Sequence, residues 1–227
     1  MNFADRKILI RYSLILLSLV LIWVIVGFLY IDMPLAKYFN QPDLEKVYYY
    51  SREITNVGYS IHYFLIALCG VVFSNWIYPK FSGLKNKLSF QQNISIKNWS
   101  VFSIKVLIVA GLFIKLLKTL IGRQRPHLSP EFNNLNFDIL TLHSHWHSFP
   151  SGHTQVLFSV ATLGYLIWPR QKYIFLFLAS FFSLTRITIH QHFFSDVVAG
   201  AFIGHIVTLW LYNLWPPKIH IKIIENV

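Results

Sequence analysis

The segment Phe149-Pro150-Ser151-Gly152-His153-Thr154 stands where a polar loop ends and a long apolar run begins. Serine is a favoured helix cap and proline is tolerated in a first turn, so the segment predicts a helix start. The free N–H groups of a helix N-terminus attract anions, and glycine lets a ligand approach the backbone. His153 would then stand in the first turn, where it could give or take a proton. Taken alone, the segment favours an ordinary cap beside a chance histidine, and the rest of the chain decides otherwise.

The composition is that of an integral membrane protein. Of the 227 residues, 55% are hydrophobic and only 13% are charged, whereas a typical soluble domain has about 25% charged residues. A net charge of +11 would suggest a nucleic acid partner in a soluble protein. Here the basic residues flank apolar runs, so we expect contact with anionic membrane lipids and no nucleic acid partner. The single cysteine, Cys69, excludes an intrachain disulfide.

Six apolar segments are long enough to cross a bilayer, for which about 20 residues are needed. They are residues 12–31, 60–79, 99–120, 150–168, 172–189 and 197–215. The predicted fold class is therefore all-α, a polytopic membrane protein with about six transmembrane helices. We expect residues 1–227 to form a single membrane-embedded domain.

The distribution of Lys and Arg predicts the orientation, because cytoplasmic loops are enriched in these residues. With a cytoplasmic N-terminus, the inner side carries the basic residues at positions 6–11, 80–97, 170–172 and 218–222. Both termini are then cytoplasmic, and the loops at 32–59 and 121–149 lie outside. The outer face carries Lys37, Lys46 and Arg52 in its first loop. It also receives four basic residues that run against the bias, and the bias is clear when these are set aside: Lys118, Arg123, Arg125 and Arg186.

Lys118 and Arg125 lie seven residues apart at the predicted outer end of the third span. Seven residues make about two helical turns, so the two side chains would share a face if the helix continued. Two positive charges at this boundary are typical of an anion-binding site. The planar guanidinium group of arginine can bond two oxygens of a phosphate. Lys105 and Lys115 are interpreted as lysines that extend toward the membrane surface. Arg123 would contact either a neighbour of the site or a lipid headgroup.

Arg186, His192 and Asp196 fall between the fifth and sixth predicted spans, on the same face. His192 and Asp196 are one helical turn apart, a spacing that lets a carboxylate hold an imidazole N–H. The other imidazole nitrogen would then be presented as a nucleophile or base. A polar turn between two spans is the alternative, but ionisable groups at membrane depth are by default functional candidates.

Together these groups predict phosphoryl transfer without a metal ion. The cations and the N–H groups of the helix start would stabilise charge on the phosphate oxygens. One histidine would attack phosphorus, and the other would protonate the leaving oxygen. Two histidines in different roles fit a two-step reaction through a phosphohistidine.

Three motifs resemble the signature of the type-2 phosphatidate phosphatase superfamily, which also includes bacterial acid phosphatases and vanadium haloperoxidases. They are Lys118-x6-Arg125-Pro126, Pro150-Ser151-Gly152-His153 and Arg186-x5-His192-x3-Asp196, and they occupy residues 118–196. Their order and spacing agree with the family, and the matched part runs from the third to the sixth predicted span. One departure is Thr185, where the family usually has serine before the arginine of the third motif.

The resemblance implies a role for each matched residue. His192 would be the nucleophile, Asp196 its orienting partner and His153 the general acid for the leaving group. The phosphate would be bound by a further set of residues, namely Lys118, Arg125, Ser151, Gly152 and Arg186. No metal and no cofactor would be needed. Thr185 keeps the hydroxyl of the usual serine, so we expect little loss of activity from this departure.

The implied function is an integral-membrane lipid phosphatase that hydrolyses a phosphomonoester or a diphosphate. Candidate substrates are lipid A phosphate, undecaprenyl diphosphate, phosphatidylglycerol phosphate and phosphatidate, and the sequence does not choose among them. Six-span bacterial members of the family mostly act at the outer side of the inner membrane, so we expect this location with the site facing the periplasm. The sequence carries no indication of the oligomeric state.

Two other interpretations stay open at this point. His143, His145 and His147 alternate in the third loop near His127, and alternating histidines can ligate zinc or copper. No cysteine or carboxylate clearly completes such a site. Alternatively, the chain is a non-catalytic protein that binds or transports a phosphate lipid, although the paired repeats and broken helices common in transporters are not evident.

Overall fold

The computed structural model describes residues 5–81, 87–129 and 132–218. Within these ranges the chain is helical and has no β-strand, and Arg123 and Phe137 form an isolated β-bridge. Two of the basic residues behind the predicted orientation, Lys85 and Lys222, lie outside the described residues. The all-α fold class is therefore confirmed for the part of the chain that the structure describes.

The helices follow one another with short connections, except for the long loop before α7. In chain order they are α1 (Arg6–Val26), α2 (Asp32–Phe39), α3 (Glu45–Ile54), α4 (Ser60–Val72), α5 (Tyr78–Phe81), α6 (Lys87–Ile121), α7 (Gly152–Ile167), α8 (Lys172–Thr188) and α9 (Phe194–Leu214). A π-helical turn at Gly27–Ile31 joins α1 to α2, and another at Phe73–Ile77 joins α4 to α5.

Four continuous helical runs of the described chain are long and apolar enough to cross a bilayer. They are Arg6–Phe39, Pro42–Ile77, Phe90–Ile121 and Phe194–Leu214. The fourth and fifth predicted spans correspond to shorter helices, α7 with 16 residues and α8 with 17. The chain is thus an integral membrane protein built from helices, and the count of six spans stays a prediction.

Helix α7 lies at the centre of the bundle, where it packs against α6, α8 and α9. Its closest approach is to α9, because Gly200 and Gly204 of α9 face the backbone of α7. A Cβ atom on these glycines would collide with the carbonyl oxygens of Ser151 and Gln155. Small residues spaced in this way let two membrane helices approach closely. The start of α7 is therefore held against the start of α9.

The N-terminal half of the chain covers the ends of α8 and α9. Helix α1 packs along α9, and a Cβ atom on Gly27 would lie 3.3 Å from Cβ of Ser195. Helix α3 and the 3-10 turn at Thr55–Gly58 pack against α8. The segment between the first two predicted spans is thus a helical cover beside the loop that joins α8 to α9.

Candidate active site

Lys118 lies in the last turn of α6, and its ammonium group bonds the loop that precedes α7. Nζ donates to the carbonyl oxygen of His147 and, at 3.5 Å, to that of Ser148. Cε of Lys118 lies 3.7 Å from the position that a Cβ atom on Gly152 would occupy. The first and second motifs therefore meet at this lysine.

Arg125 does not continue the helix of Lys118. Helix α6 ends at Ile121, and Gly122 takes a φ of +60° that glycine adopts readily. A Cβ atom at Gly122 would collide with the carbonyl oxygen of Asp138, so the turn requires glycine. Lys118 and Arg125 would share a helix face only if the helix continued, and this condition is not met because the chain leaves the helix between them.

Arg125 is instead held by the loops that surround the site. Its backbone N–H donates to the carbonyl oxygen of His145 at 3.1 Å, and its Nε donates to that of Ser144 at 3.2 Å. Nη1 donates to Oε1 of Gln191 at 2.5 Å, in the turn between α8 and α9. The arginine of the first motif thus contacts the third motif directly.

The second motif forms the start of α7, which begins two residues after Pro150. The helix begins at Gly152 with Ser151 as its N-cap, so Pro150 precedes the cap and does not stand in the first turn. The Ser151 hydroxyl is fully buried and accepts a hydrogen bond from Oγ1 of Thr154 at 3.0 Å. The Ser151 N–H donates to the backbone carbonyl of Asp196 at 2.9 Å, which joins the second motif to the third.

His153 stands in the first turn of α7, as predicted. Its ring packs against that of Tyr59, with ring centroids 4.7 Å apart and planes inclined by 62°. Its Nε2 is buried and has no hydrogen-bond partner among the described residues. A buried imidazole nitrogen without a partner is available to exchange a proton with a ligand.

The third motif wraps around the carbonyl oxygen of Arg186. Helix α8 ends at Thr188, and His190 adopts a positive φ of 55°. The N–H groups of Gln191 and His192 both donate to the Arg186 carbonyl, each at 3.1 Å. The end of α8 and the histidine that follows it are thereby held together.

Thr55 holds the side chain of Arg186, which is only 5% exposed. Nη1 of Arg186 donates to Oγ1 of Thr55 at 2.9 Å. The Thr55 hydroxyl also shares a hydrogen bond of 2.9 Å with that of Thr185. The hydroxyl at position 185 is therefore used in the packing of Arg186, and threonine supplies it as serine would.

His192 and Asp196 lie side by side, but the hydrogen bond expected from their spacing is not made. Nδ1 of His192 is 3.6 Å from Oδ2 of Asp196, beyond hydrogen-bond range. The same Oδ2 accepts hydrogen bonds from Oγ of Ser148 at 2.5 Å and from the N–H of Phe193 at 2.9 Å. Asp196 is thus a fixed carboxylate, and Nδ1 of His192 is buried without a partner among the described residues.

Charged and titratable residues from all three motifs affect the pKa of His192. Burial lowers the pKa of His192 well below its usual range, and the nearby positive charges lower it further. The groups that repel its protonated form are, in decreasing order, Lys118, Arg125, Arg186 and His153. His192 is therefore a neutral imidazole at neutral pH, as a nucleophile must be.

Arg123, whose role the sequence left open, is buried with 1% of its surface exposed, so it cannot contact a lipid headgroup. Nη1 donates to Oδ1 of Asp196 at 2.5 Å and to Oγ of Ser195 at 2.7 Å. Nη2 donates to Oδ2 of Asp32 at 2.8 Å. The guanidinium group also lies over the ring of Phe193, 4.2 Å from its centroid. Arg123 is a neighbour of the site that holds Asp196.

Sequence reasoning missed Asp32 and Thr55, both of which lie in the first predicted outer loop. Asp32 is 1% exposed and Thr55 is 5% exposed. A signal for Asp32 was present, since an acidic residue directly after an apolar run is a candidate functional group. For Thr55 no comparable signal exists, because its partners lie 130 and 131 positions away.

The alternating histidines of the third loop do not converge. His147 is buried, and its Nε2 and Nδ1 lie 3.1 Å from the carbonyl oxygen of Thr141 and 3.3 Å from Nζ of Lys115. His143 and His145 are exposed. In the described ranges, no group of three or more His, Cys, Asp or Glu could hold a metal ion. Lys115 thus has a partner in this loop and does not simply extend toward the membrane surface.

The family model described as the PAP2 superfamily matches residues 99–219 of this chain. The lipid A 1-phosphatase of Rhizobium etli is 30% identical over 121 residues, which are 53% of this chain and 52% of that protein. The chain spans about half the length of the curated relatives it matches.

Two solved structures share the fold. A transmembrane PAP2-type phosphatidylglycerolphosphate phosphatase from Bacillus subtilis superposes with a TM-score of 0.58 at 20% identity, covering 89% of this chain and 94% of that one. LpxE of Aquifex aeolicus superposes with a TM-score of 0.51 at 21% identity, covering 79% and 93%. The family match includes all three motifs and confirms the resemblance drawn from them. The chain belongs to the PAP2 superfamily.

Proposed function

We propose that the chain is a metal-independent lipid phosphatase that hydrolyses a phosphomonoester or diphosphate through a phosphohistidine. The catalytic residues are His192, His153 and Asp196. The phosphate is bound by the remaining residues of the three motifs, namely Lys118, Arg125, Ser151, Gly152 and Arg186. Neither a cofactor nor a nucleic acid takes part, and the partners are the lipid substrate and the surrounding membrane lipids.

The observation that carries this proposal is the convergence of positive charge on one neutral imidazole. Lys118, Arg125 and Arg186 come from different segments, yet all three lower the pKa of His192. A bound phosphate group offsets the mutual repulsion of these cations, which otherwise opposes the compact arrangement. The same cations stabilise the negative charge that spreads over the phosphate oxygens in the transition state.

In the first step, Nε2 of His192 attacks phosphorus and the bond from phosphorus to the leaving oxygen breaks. Protonated His153 donates its proton to that oxygen, so the lipid leaves as an alcohol or, from a diphosphate, as a monophosphate. Nδ1 of His192 faces Asp196 at 3.6 Å, which directs Nε2 toward the phosphate. Ser151 and the N-terminus of α7 supply further hydrogen-bond donors to the phosphate oxygens.

In the second step, water attacks the phosphohistidine and His153 acts as the base. It takes a proton from the attacking water, which replaces the proton that it gave to the leaving oxygen in the first step. The bond between Nε2 of His192 and phosphorus breaks, and inorganic phosphate leaves. At the end of the second step His192 is again neutral and His153 is again protonated, so no external acid or base is needed.

A groove supports a lipid as the carrier of the phosphate. It has a volume of about 280 Å³ and lies between α4, α6 and α7. Lys118, Gly152 and His153 line its polar end. Its remaining wall is mostly apolar and includes Leu107, Gly111, Ile114 and Val156. A phosphate beside Lys118 and His153 and an alkyl chain along the apolar wall would fill the groove with matching chemistry.

The substrate candidates are lipid A phosphate, phosphatidylglycerol phosphate, phosphatidate and undecaprenyl diphosphate. The first two are favoured for initial tests, because the Rhizobium etli relative is named as a lipid A 1-phosphatase and the Bacillus subtilis structure as a phosphatidylglycerolphosphate phosphatase. All four lipids carry a terminal phosphate, which is the group that the residues of the three motifs bind in this proposal.

The proposal is tested by phosphate release from these four lipids, using the purified chain of residues 1–227 in EDTA. We expect release from at least one of them at a rate that EDTA does not change. Loss of activity in EDTA would favour a metal-dependent reaction. Tight binding of a lipid phosphate without release would favour the non-catalytic binding or transport protein.

We further propose that one domain with six spans, α7 and α8 included, crosses the bacterial inner membrane with both termini in the cytoplasm. The site then faces the periplasm. The support is the concentration of Lys and Arg on the predicted inner side, together with the meeting of the three motifs at one end of α6, α7 and α9.

Cysteine labelling tests this orientation in a Cys69→Ser background. Leu142 is 77% exposed in the third loop, and Gln92 is exposed near the opposite end of α6. With intact spheroplasts and an impermeant maleimide, we expect Leu142→Cys to react and Gln92→Cys to react only after lysis. The reverse pattern would place the site in the cytoplasm.

A further inference from the structure

We infer that Asp32 and Arg123 are positioning residues that fix the Asp196 carboxylate beside His192, so the first helical run is part of the catalytic unit. The inference rests on the proposed function, because it concerns the same nucleophile. Neither residue belongs to the three motifs as their signatures are written, and Asp32 lies outside residues 99–219 that the family model matches.

Asp32 accepts three hydrogen bonds from described residues. Its Oδ1 accepts from the N–H of Ser195 at 2.9 Å, and its Oδ2 accepts from Oγ of Ser195 at 2.6 Å and from Nη2 of Arg123 at 2.8 Å. Asp32 thus binds the first turn of α9 at two atoms of one residue. Because Ser195 immediately precedes Asp196 in the chain, this contact fixes the position of the Asp196 backbone.

Arg123 links the two carboxylates with one planar group. Nη2 bonds Asp32 while Nη1 bonds Oδ1 of Asp196 at 2.5 Å. All three side chains are at most 1% exposed. A guanidinium group presents donors in a fixed fork, so it can bridge two acceptors whose separation is set, whereas an ammonium group on a flexible stem cannot. The distance between the carboxylates is therefore fixed by Arg123.

Fixing the Asp196 carboxylate also determines how its second oxygen, Oδ2, lies relative to His192. With Oδ1 held by Arg123, Oδ2 is directed toward Nδ1 of His192, 3.6 Å away. The formal charges of the three linked groups, two carboxylates and one guanidinium, sum to −1, and Oδ2 of Asp196 brings this cluster to within 3.6 Å of Nδ1. Negative charge there favours Nδ1–H, the form in which Nε2 attacks and the form that the phosphohistidine must keep.

A purely structural role makes a different prediction. If Asp32 only joined α2 to α9, its loss would reduce the amount of folded protein and leave each folded molecule fully active. If it supported the phosphate pocket as a whole, its loss would weaken phosphate binding and turnover together. A positioning role affects turnover alone, because Lys118, Arg125 and Arg186 do not contact Asp32 or Arg123 in any hydrogen bond or ion pair of the described residues.

The experiment compares Asp32→Asn and Arg123→Lys with the wild-type chain, using the lipid phosphate that the wild type hydrolyses best. Asp43→Asn and Arg52→Lys are the matched controls, since both residues are exposed in the same outer segment. The measurements are kcat per folded molecule, KM, the inhibition constant of inorganic phosphate and the thermal unfolding midpoint. The folded fraction is taken from size-exclusion chromatography in detergent.

We expect kcat to fall about 10- to 100-fold in both variants, since small displacements of a reacting group cost this much. KM and the phosphate inhibition constant should stay within about threefold, and the controls should match the wild type within about twofold. An unchanged kcat per folded molecule would overturn the inference. So would a phosphate inhibition constant that worsens as much as kcat falls.

Ser195→Ala keeps the inference testable if the two charge-altering variants do not fold. It removes the hydroxyl bonds to Asp32 and to Arg123 and leaves all charges in place, and we expect kcat to fall about 3- to 10-fold at unchanged KM. Wild-type kcat in this variant would overturn the inference. Failure of the proposed function is distinguishable, because the wild-type chain itself would then release no phosphate from any lipid.

Discussion

Replacing His192 with alanine is expected to reduce phosphate release by at least about 10³-fold in kcat, because the reaction loses its nucleophile. The side chain is 2% exposed, so its removal leaves a cavity that should lower stability, but it breaks no hydrogen bond of Nδ1 to a described residue and the chain should still fold. The measurement is phosphate release by the purified variant, with the folded fraction checked by chromatography.

His143→Ala is the matched control for this variant. His143 is an exposed histidine in the loop at the same end of the bundle. The activity of the His143→Ala variant should stay within about twofold of the wild type. Substantial turnover by His192→Ala would contradict the proposed mechanism, whatever its effect on stability.

Asp196→Asn is expected to reduce kcat by about 10² to 10³-fold, as expected when a carboxylate that orients a catalytic histidine becomes an amide. The phosphate-binding cations are untouched, so inhibition by inorganic phosphate should change by less than about threefold. The structure adds a second expectation. Asp196 also accepts from Arg123, Ser148 and the N–H of Phe193, so the variant should lose about 2 kcal/mol of unfolding free energy.

Asp138→Asn serves as the control, since Asp138 is an exposed acid in the loop between α6 and α7. It should alter neither kcat nor the unfolding midpoint. Near-wild-type turnover by Asp196→Asn would show that His192 does not depend on its neighbouring carboxylate. Equal losses of turnover and phosphate affinity would show that Asp196 supports the whole pocket.

The sequence predicted the helical class and the proximity of the three motifs, because both follow from local patterns. Apolar runs report helices in a membrane, and the charge bias places the motifs at one end of the helices. Ser151 as the cap of α7 and His153 in its first turn also follow from local residue preferences. Local chemistry was sufficient for these features.

Other features depend on contacts that no local pattern reports. Gly122 ends α6 with a positive φ, so the periodicity that placed Lys118 and Arg125 on one face does not apply beyond it. Arg123 and Asp32 are separated by 91 positions and are joined only when α1 packs along α9. The hydrogen bond predicted between His192 and Asp196 failed for a related reason, since Asp196 Oδ2 is already engaged by Ser148 and by its own helix cap.

Detection of a phosphohistidine tests directly whether His192 is the nucleophile of the reaction. The purified chain is mixed with a lipid substrate labelled with ³²P at its terminal phosphate, quenched in alkali within one turnover, and mapped by peptide mass spectrometry. We expect a base-stable, acid-labile phosphoryl group on His192 that is absent from His192→Ala. Continued turnover with no phosphorylated histidine, or with the label on His153, would contradict this expectation.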